Sequence, residues 1–136
     1  MTASSDALAL VAVAAQAASD KLARDIVAFD VSDQLVITDA FLICSAANDR
    51  QVVAIVDEVE EQVRRQLGVK PVRREGDREA RWVLLDYIDV VVHVQHVEER
   101  VYYSLERIWR DCPVIELPEA VTVDGGSAAA AGQDAR

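Results

Sequence analysis

"WVLLDYIDVVVHVQH" (Trp82–His96) is the stretch on which the fold turns. It holds two β-rich runs, Arg81–Asp86 and Asp89–Gln95, with a carboxylate on each side of their junction. Side chains alternate across a strand. One face therefore carries Val83, Leu85, Val90, Val92 and Val94, all aliphatic, and reads as the core face. The other carries Trp82, Leu84, Asp86, Asp89, Val91, His93 and Gln95. If Asp86 and Asp89 flank a two-residue turn, Trp82 stands opposite His93 and Asp86 opposite Asp89. Ile88 fits such a turn poorly, because primed hairpin turns want positive φ. The second face is too oily for a solvated surface and too charged for a core. Two readings stay open: a binding surface with an apolar anchor and charged rim, or a face covered by another helix, with its carboxylates at the wet end.

Outward from the hairpin, the pattern alternates between periods. Leu8, Val11, Ala15, Ala18 and Leu22 keep helical spacing, with Ser4 or Ser5 as N-cap. The run lacks the basic start of a signal peptide, and no stretch is long enough to span a bilayer. "DIVAFDV" (Asp25–Val31) predicts a strand, and "LVITDAFLICSA" (Leu35–Ala46) predicts one long strand or two pieces bent near Asp39. Asp49–Leu67 predicts the clearest helix. Val52, Ile55, Val56, Val59 and Val63 form its stripe, Asn48 its cap, Gln51 the partner in a capping box and Gly68 its stop. "PVRREG" reads as a short edge strand. Val101, Leu105, Ile108 and Trp109 predict a last helix, ended by Pro113. The fold class is α/β in the α+β sense: a mixed sheet, since the hairpin forces an antiparallel pair, with helices mainly on one face. Residues 1–117 are expected to form the domain. Residues 118–136, rich in Gly and Ala, are expected to be a disordered tail.

Composition narrows the function. The chain has 136 residues, enough for one domain. Its net charge is −10, from 24 acidic and 14 basic residues, which repels a nucleic-acid backbone and favours a basic partner. Cys44 and Cys112 make no C-x-x-C, so a reducing cytoplasm is the expected home. His93 and His96, three apart, point to opposite faces of a strand and cannot share a metal while the strand continues. Asp86 and Asp89 lack the D-x-D spacing that puts two carboxylates on one face for Mg²⁺. No Gly-rich loop precedes either main helix to cradle phosphate. The residues therefore predict no catalytic centre, metal or cofactor. "RREGDREAR" (Arg73–Arg81) is the one basic run, interleaved with acids; it reads as a solvated loop or a secondary contact to RNA or protein.

Three blocks occur in order at suitable spacing: "VITDAFLICSAANDRQVVAIVDEVE", "REGDREARWVLLDYIDVVVHVQH" and "RVYYSLERIWRDCP". Over roughly residues 5 to 115 the chain resembles the Iojap-like ribosomal silencing factors, the W-x-L-x-D-Y-x-D-x-V-V-H block being the most diagnostic. The resemblance implies a topology similar to nucleotidyltransferases without their catalytic site. It implies a translational repressor that binds the uL-fourteen protein of the large ribosomal subunit at the inter-subunit face and blocks joining of the small subunit when nutrients are scarce. A homodimer when free, a minor ribosomal RNA contact and no membrane complete the expected partners. Carried over by motif, the contact residues are Trp82, Leu84, Asp86, Tyr87, Asp89 and His93, with Arg73, Glu75 and Gly76 adjacent, and Thr38 and Asp39 (with Phe41) shaping the same face. Tyr103, Leu105 and Trp109 are expected to pack the closing helix. Ala40 stands where the family usually has Tyr, Ala46 or Ala47 where it has Gly, and Ile88 where it has Gly. The alternatives are a residual nucleotidyltransferase-like enzyme and a dimeric adaptor acting off the ribosome.

Overall fold

The computed structural model describes residues 2–118 and residue 121; the expected tail from 118 onward lies, apart from 118 and 121, outside the described residues. Two long helices cover one face of a five-stranded sheet, and two short helices lie against the other. The elements run α1 (Ser5–Asp20), β1 (Arg24–Asp30), β2 (Ala40–Ala46), α2 (Asp49–Leu67), β3 (Arg73–Glu75), β4 (Trp82–Asp86), β5 (Val90–His96), α3 (Val97–Tyr103) and α4 (Leu105–Ile108). The sheet order is β1-β2-β5-β4-β3. Only β2 and β5 pair in parallel, so the sheet is mixed, as the hairpin requires.

Local signals account for the two long helices. The Ser4 hydroxyl caps α1 by accepting from the Ala7 amide at 3.1 Å, and α1 turns its small side chains, among them Ala7, Ala14, Ala15 and Ala18, inward. Alanine there lets the α1 backbone lie close to α2 and to β1–β2. In α2 the Asn48 side chain accepts from the Gln51 amide, the Gln51 side chain accepts from the Ala47 amide, and Gly68 closes the helix in the left-handed region. Val52, Ile55, Val56, Val59 and Val63 are buried against Val83, Leu85, Val90, Val92 and Val94, which confirms the core face of the hairpin.

Three expectations are corrected. Leu35–Asp39 is loop, not strand. Val36 and Ile37 are exposed there, and the Asp39 amide donates to the Asp89 carbonyl at 2.7 Å, so β2 starts only at Ala40. The hairpin register differs by two residues: Trp82 faces Gln95, Leu84 faces His93 and Asp86 faces Val91. Asp86 and Asp89 therefore do not flank the turn. Tyr87 and Val90 do, the Tyr87 amide donating to the Val90 carbonyl at 2.9 Å. Ile88 takes the positive φ (73°) that its side chain disfavours, and its amide is held by the Asp86 carboxylate at 2.8 Å. A slip of two preserves the alternation, so the side chains within the paired strands keep their faces, while Asp89 falls in the turn and leaves the outer face. Finally, the single closing helix is two short ones, broken at Ser104 with φ 47°. Val101 and Ile108 are exposed, while Leu105 and Trp109 pack on the sheet.

Candidate functional site

The outer face of the sheet is a grid set by the strand registers. Its first row reads Asp86, Val91, Phe41, Phe29; its second Leu84, His93, Ile43, Val27; its third Trp82, Gln95, Ser45. The two halves differ. Over β1 and β2, Leu105, Trp109 and Cys112 pack on Phe29, Val31 and Ile43, and the Trp109 ring meets Phe41 edge-on at 5.0 Å. Arg100 pins this cover. Its guanidinium donates to the Asp25 carbonyl at 2.7 Å, to the Ser45 hydroxyl at 3.2 Å and to the Glu106 carboxylate at 2.8 Å. Over β4 the face stays partly open: Trp82, Leu84, Asp86 and Val91 are all half-buried. The covered reading thus holds for the β1–β2 half, and the β4 half keeps partial exposure.

Trp82 is held from two sides. Its Nε1–H donates to His93 Nδ1 at 3.2 Å, and its ring lies against Tyr103 at 4.8 Å. The bond requires a neutral imidazole with its proton on Nε2. Burial supplies that neutrality by pushing the His93 pKa down to about 4. Tyr103 meets Tyr102 in turn at 4.9 Å, so an aromatic strip continues off the sheet onto α3. Tyr102 and Tyr103 are the residues that sequence reasoning missed in this role; the only signal was the Tyr–Tyr pair immediately before the helix break at Ser104. At the other end Asp86 accepts from Arg73 at 2.9 Å, and Arg73 also approaches Glu75 at 3.5 Å. The Asp86 carboxyl is raised by partial burial, but the bonds from Arg73 and the Ile88 amide outweigh this and hold its pKa below the usual range.

Several carried-over residues lie elsewhere. Tyr87 points to the helix side and is buried. Asp89 is exposed at the turn, its carbonyl bound by the Asp39 and Ala40 amides. Thr38 is half-buried in the loop before β2. The Asp39 carboxylate accepts from the Ser4 amide at 2.9 Å and, with Asp30 on the Ala3 amide at 2.8 Å, clasps the start of the chain. Gly76 makes room rather than contact: φ is 94°, and a Cβ there would run into the Trp82 carbonyl oxygen. The basic run is largely spent on internal acids. Arg74 binds Asp57, Glu60 and Asp77, and Arg81 reaches Glu98 and Glu99. Among the described residues no group of three or more His, Cys, Asp or Glu could hold a metal ion, and no helix is long and apolar enough to cross a membrane. Cys44 is fully buried, and burial pushes its thiol pKa up to about 12.

The profile of one protein family, "Ribosomal silencing factor during starvation", matches residues 4–136. The chain belongs to the ribosomal silencing factor family. A Bacillus subtilis protein named ribosomal silencing factor RsfS is 47% identical over 105 residues, covering 77% of this chain and 88% of that one. A crystal structure of a Chromobacterium violaceum protein superposes with TM-score 0.71 at 31% identity, over 75% of this chain and 84% of the other. One from Bacillus halodurans does so with TM-score 0.67 at 43% identity, over 77% and 94%. In this silencing-factor chain the diagnostic block is divided by the pleat: Trp82, Leu84 and Asp86 face outward, and Tyr87 faces the helices.

Proposed function

We propose that this chain is a cytoplasmic translational repressor. It docks the open half of its sheet onto the uL-fourteen protein of the large ribosomal subunit and keeps the small subunit from joining. The observation that carries this reading is the half-exposed strip of Trp82 and Leu84, fringed by Asp86 and Glu75 and continued by Tyr103. A rigid aromatic with carboxylates at its rim suits a basic protein surface: the acids speed encounter, and burial of the ring holds the complex. His93 fixes the indole before binding, so less rotamer freedom is lost on docking. Arg73, Glu75 and Asp86 would form the charged edge, while Gly76, Thr38 and Asp39 act through the backbone they shape. Repression then needs occupancy alone.

The test is co-sedimentation with purified large subunits. Trp82→Ala should weaken binding by at least about thirtyfold, the effect of losing a central aromatic anchor. Leu84→Asp should do the same without touching the indole–imidazole bond. Circular dichroism of both variants checks that the domain stays folded. Large-subunit binding retained by folded Leu84→Asp would remove the sheet face from the interface.

A further inference from the structure

We propose that an aliphatic ridge at one end of the sheet is a further contact for the basic protein on which the open sheet face docks, and that it sets which partner surface fits. The ridge consists of Val36 and Ile37, in the loop between β1 and β2, and Ile88, in the β4–β5 turn. The inference rests on the docking of the sheet face. Val36 is 100% exposed and Ile37 beside it 68%, although their neighbour Leu35 packs inward. Ile88 is 46% exposed. The two segments are fastened together, because the Asp39 and Ala40 amides both donate to the Asp89 carbonyl, at 2.7 and 3.0 Å. Asp86 and Val91 form the row of the outer face nearest the turn, and Asp86 holds the Ile88 amide. The ridge therefore continues the strip of Trp82 and Leu84 around the end of the sheet.

Scattered exposed aliphatic side chains are ordinary on a protein surface. Strain, area and charge set these apart. Ile88 holds a left-handed φ of 73°, which a β-branched residue disfavours, and its side chain gains little burial in return. Glycine would make the same turn without that cost, so the return for the side chain lies in a contact outside the chain. Area points the same way. A stable interface covers about 800 Å² on each partner, and Trp82, Leu84 and Val91, each half-buried, cannot supply it alone. Charge then selects the occupant. Arg73 offsets Asp86, but Asp89 stands exposed beside Ile88 on a chain of net charge −10. A second copy would bring like charge against like, and an anionic membrane surface would be repelled. A basic protein surface with an apolar groove meets both the ridge and its acidic rim.

Quantitative co-sedimentation of the full chain with purified large subunits tests this. Ile88→Gly should weaken binding by about fivefold to tenfold, the effect of leaving one aliphatic side chain out of an interface, while its urea midpoint rises. Opposite signs for binding and stability exclude unfolding as the cause. Ile88→Val keeps a branched side chain at the same φ and should bind within about twofold of the unaltered chain. Val36→Ser with Ile37→Ser should weaken binding by about tenfold or more, with the melting temperature kept. Unchanged affinity in either Ile88→Gly or the Val36→Ser, Ile37→Ser pair, with Trp82→Ala still defective, would overturn the ridge and leave the sheet face as the docking site. Equal losses in Ile88→Gly and Ile88→Val would assign the effect to turn conformation and overturn it too. So would a loss of self-association in the Val36→Ser, Ile37→Ser pair with subunit binding intact, since the ridge would then join two copies. Failure of the unaltered chain to co-sediment would overturn the ridge and the docking face together.

Discussion

His93 is neutral because it is buried, and its neutrality lets Nδ1 accept from the Trp82 indole. Its pKa is about 4 in the fold against 6.5 in an open chain. The unfolded state therefore binds more protons between those values, and stability falls as pH drops through that window. From pH 7 to pH 5 the loss should be of order 2 kcal/mol, read as a falling urea midpoint. His93→Gln, which keeps an acceptor for the indole, should flatten the profile. Asp30 and Asp86 do not blur this window. Their lowered pKa values contribute stability that is present above the ordinary carboxylate value of 3.8 and lost only below it. Asp86 was visible in the sequence as a polar residue on a mixed face. Its actual duty, holding the Ile88 amide and Arg73 together, was not, because both partners depend on where the turn falls.

The β4–β5 hairpin stores strain at one residue. Ile88 has φ 73° and is 46% exposed, so its side chain recovers little by burial. The Tyr87 carbonyl accepts from the Asp89 amide at 2.9 Å, which closes a tight three-residue turn around it. Ile88→Gly should stabilise the domain by roughly 0.5–1 kcal/mol, the left-handed penalty less the entropy of an added glycine; a rise in urea midpoint checks it. The α3–α4 cover depends instead on Arg100, which ties both short helices to β1 and β2. Arg100→Leu should speed amide hydrogen exchange across 97–109 while α2 and β5 keep their protection, because local opening follows the loss of local anchors. The register and the helix break were the two element-level features that alternation alone did not supply. Period-2 patterning is unchanged by a slip of two, and the 3.6-residue spacing of Val101, Leu105 and Ile108 runs through Ser104 without a gap.

At the scale of the molecule, charge acts through its surplus. Net charge is −10, and the basic run from Arg73 to Arg81 is largely occupied by internal acids, leaving the surface strongly anionic. If the partner is basic, association should be steered by long-range attraction. Raising ionic strength from about 0.05 to 0.3 M should slow the association rate several-fold and change the dissociation rate little, as surface plasmon resonance on immobilised uL-fourteen would show. A salt-independent association rate would mean that the acidic fringe takes no part.

Faces, caps and the mixed character of the sheet were determined by the sequence itself. Each follows from residues a few positions apart: the alternation of Trp82–His96, the stripe of α2, and Asn48 with Gln51 and Gly68 at its ends. Tertiary structure alone decided which half of the outer face is open. That division depends on bonds between distant residues: Arg100 with Ser45 at a separation of 55 and with Asp25 at 75. Local periodicity carries no information about such partners, because a side chain's direction is set by its neighbours along the chain and its contacts by the packing of the whole.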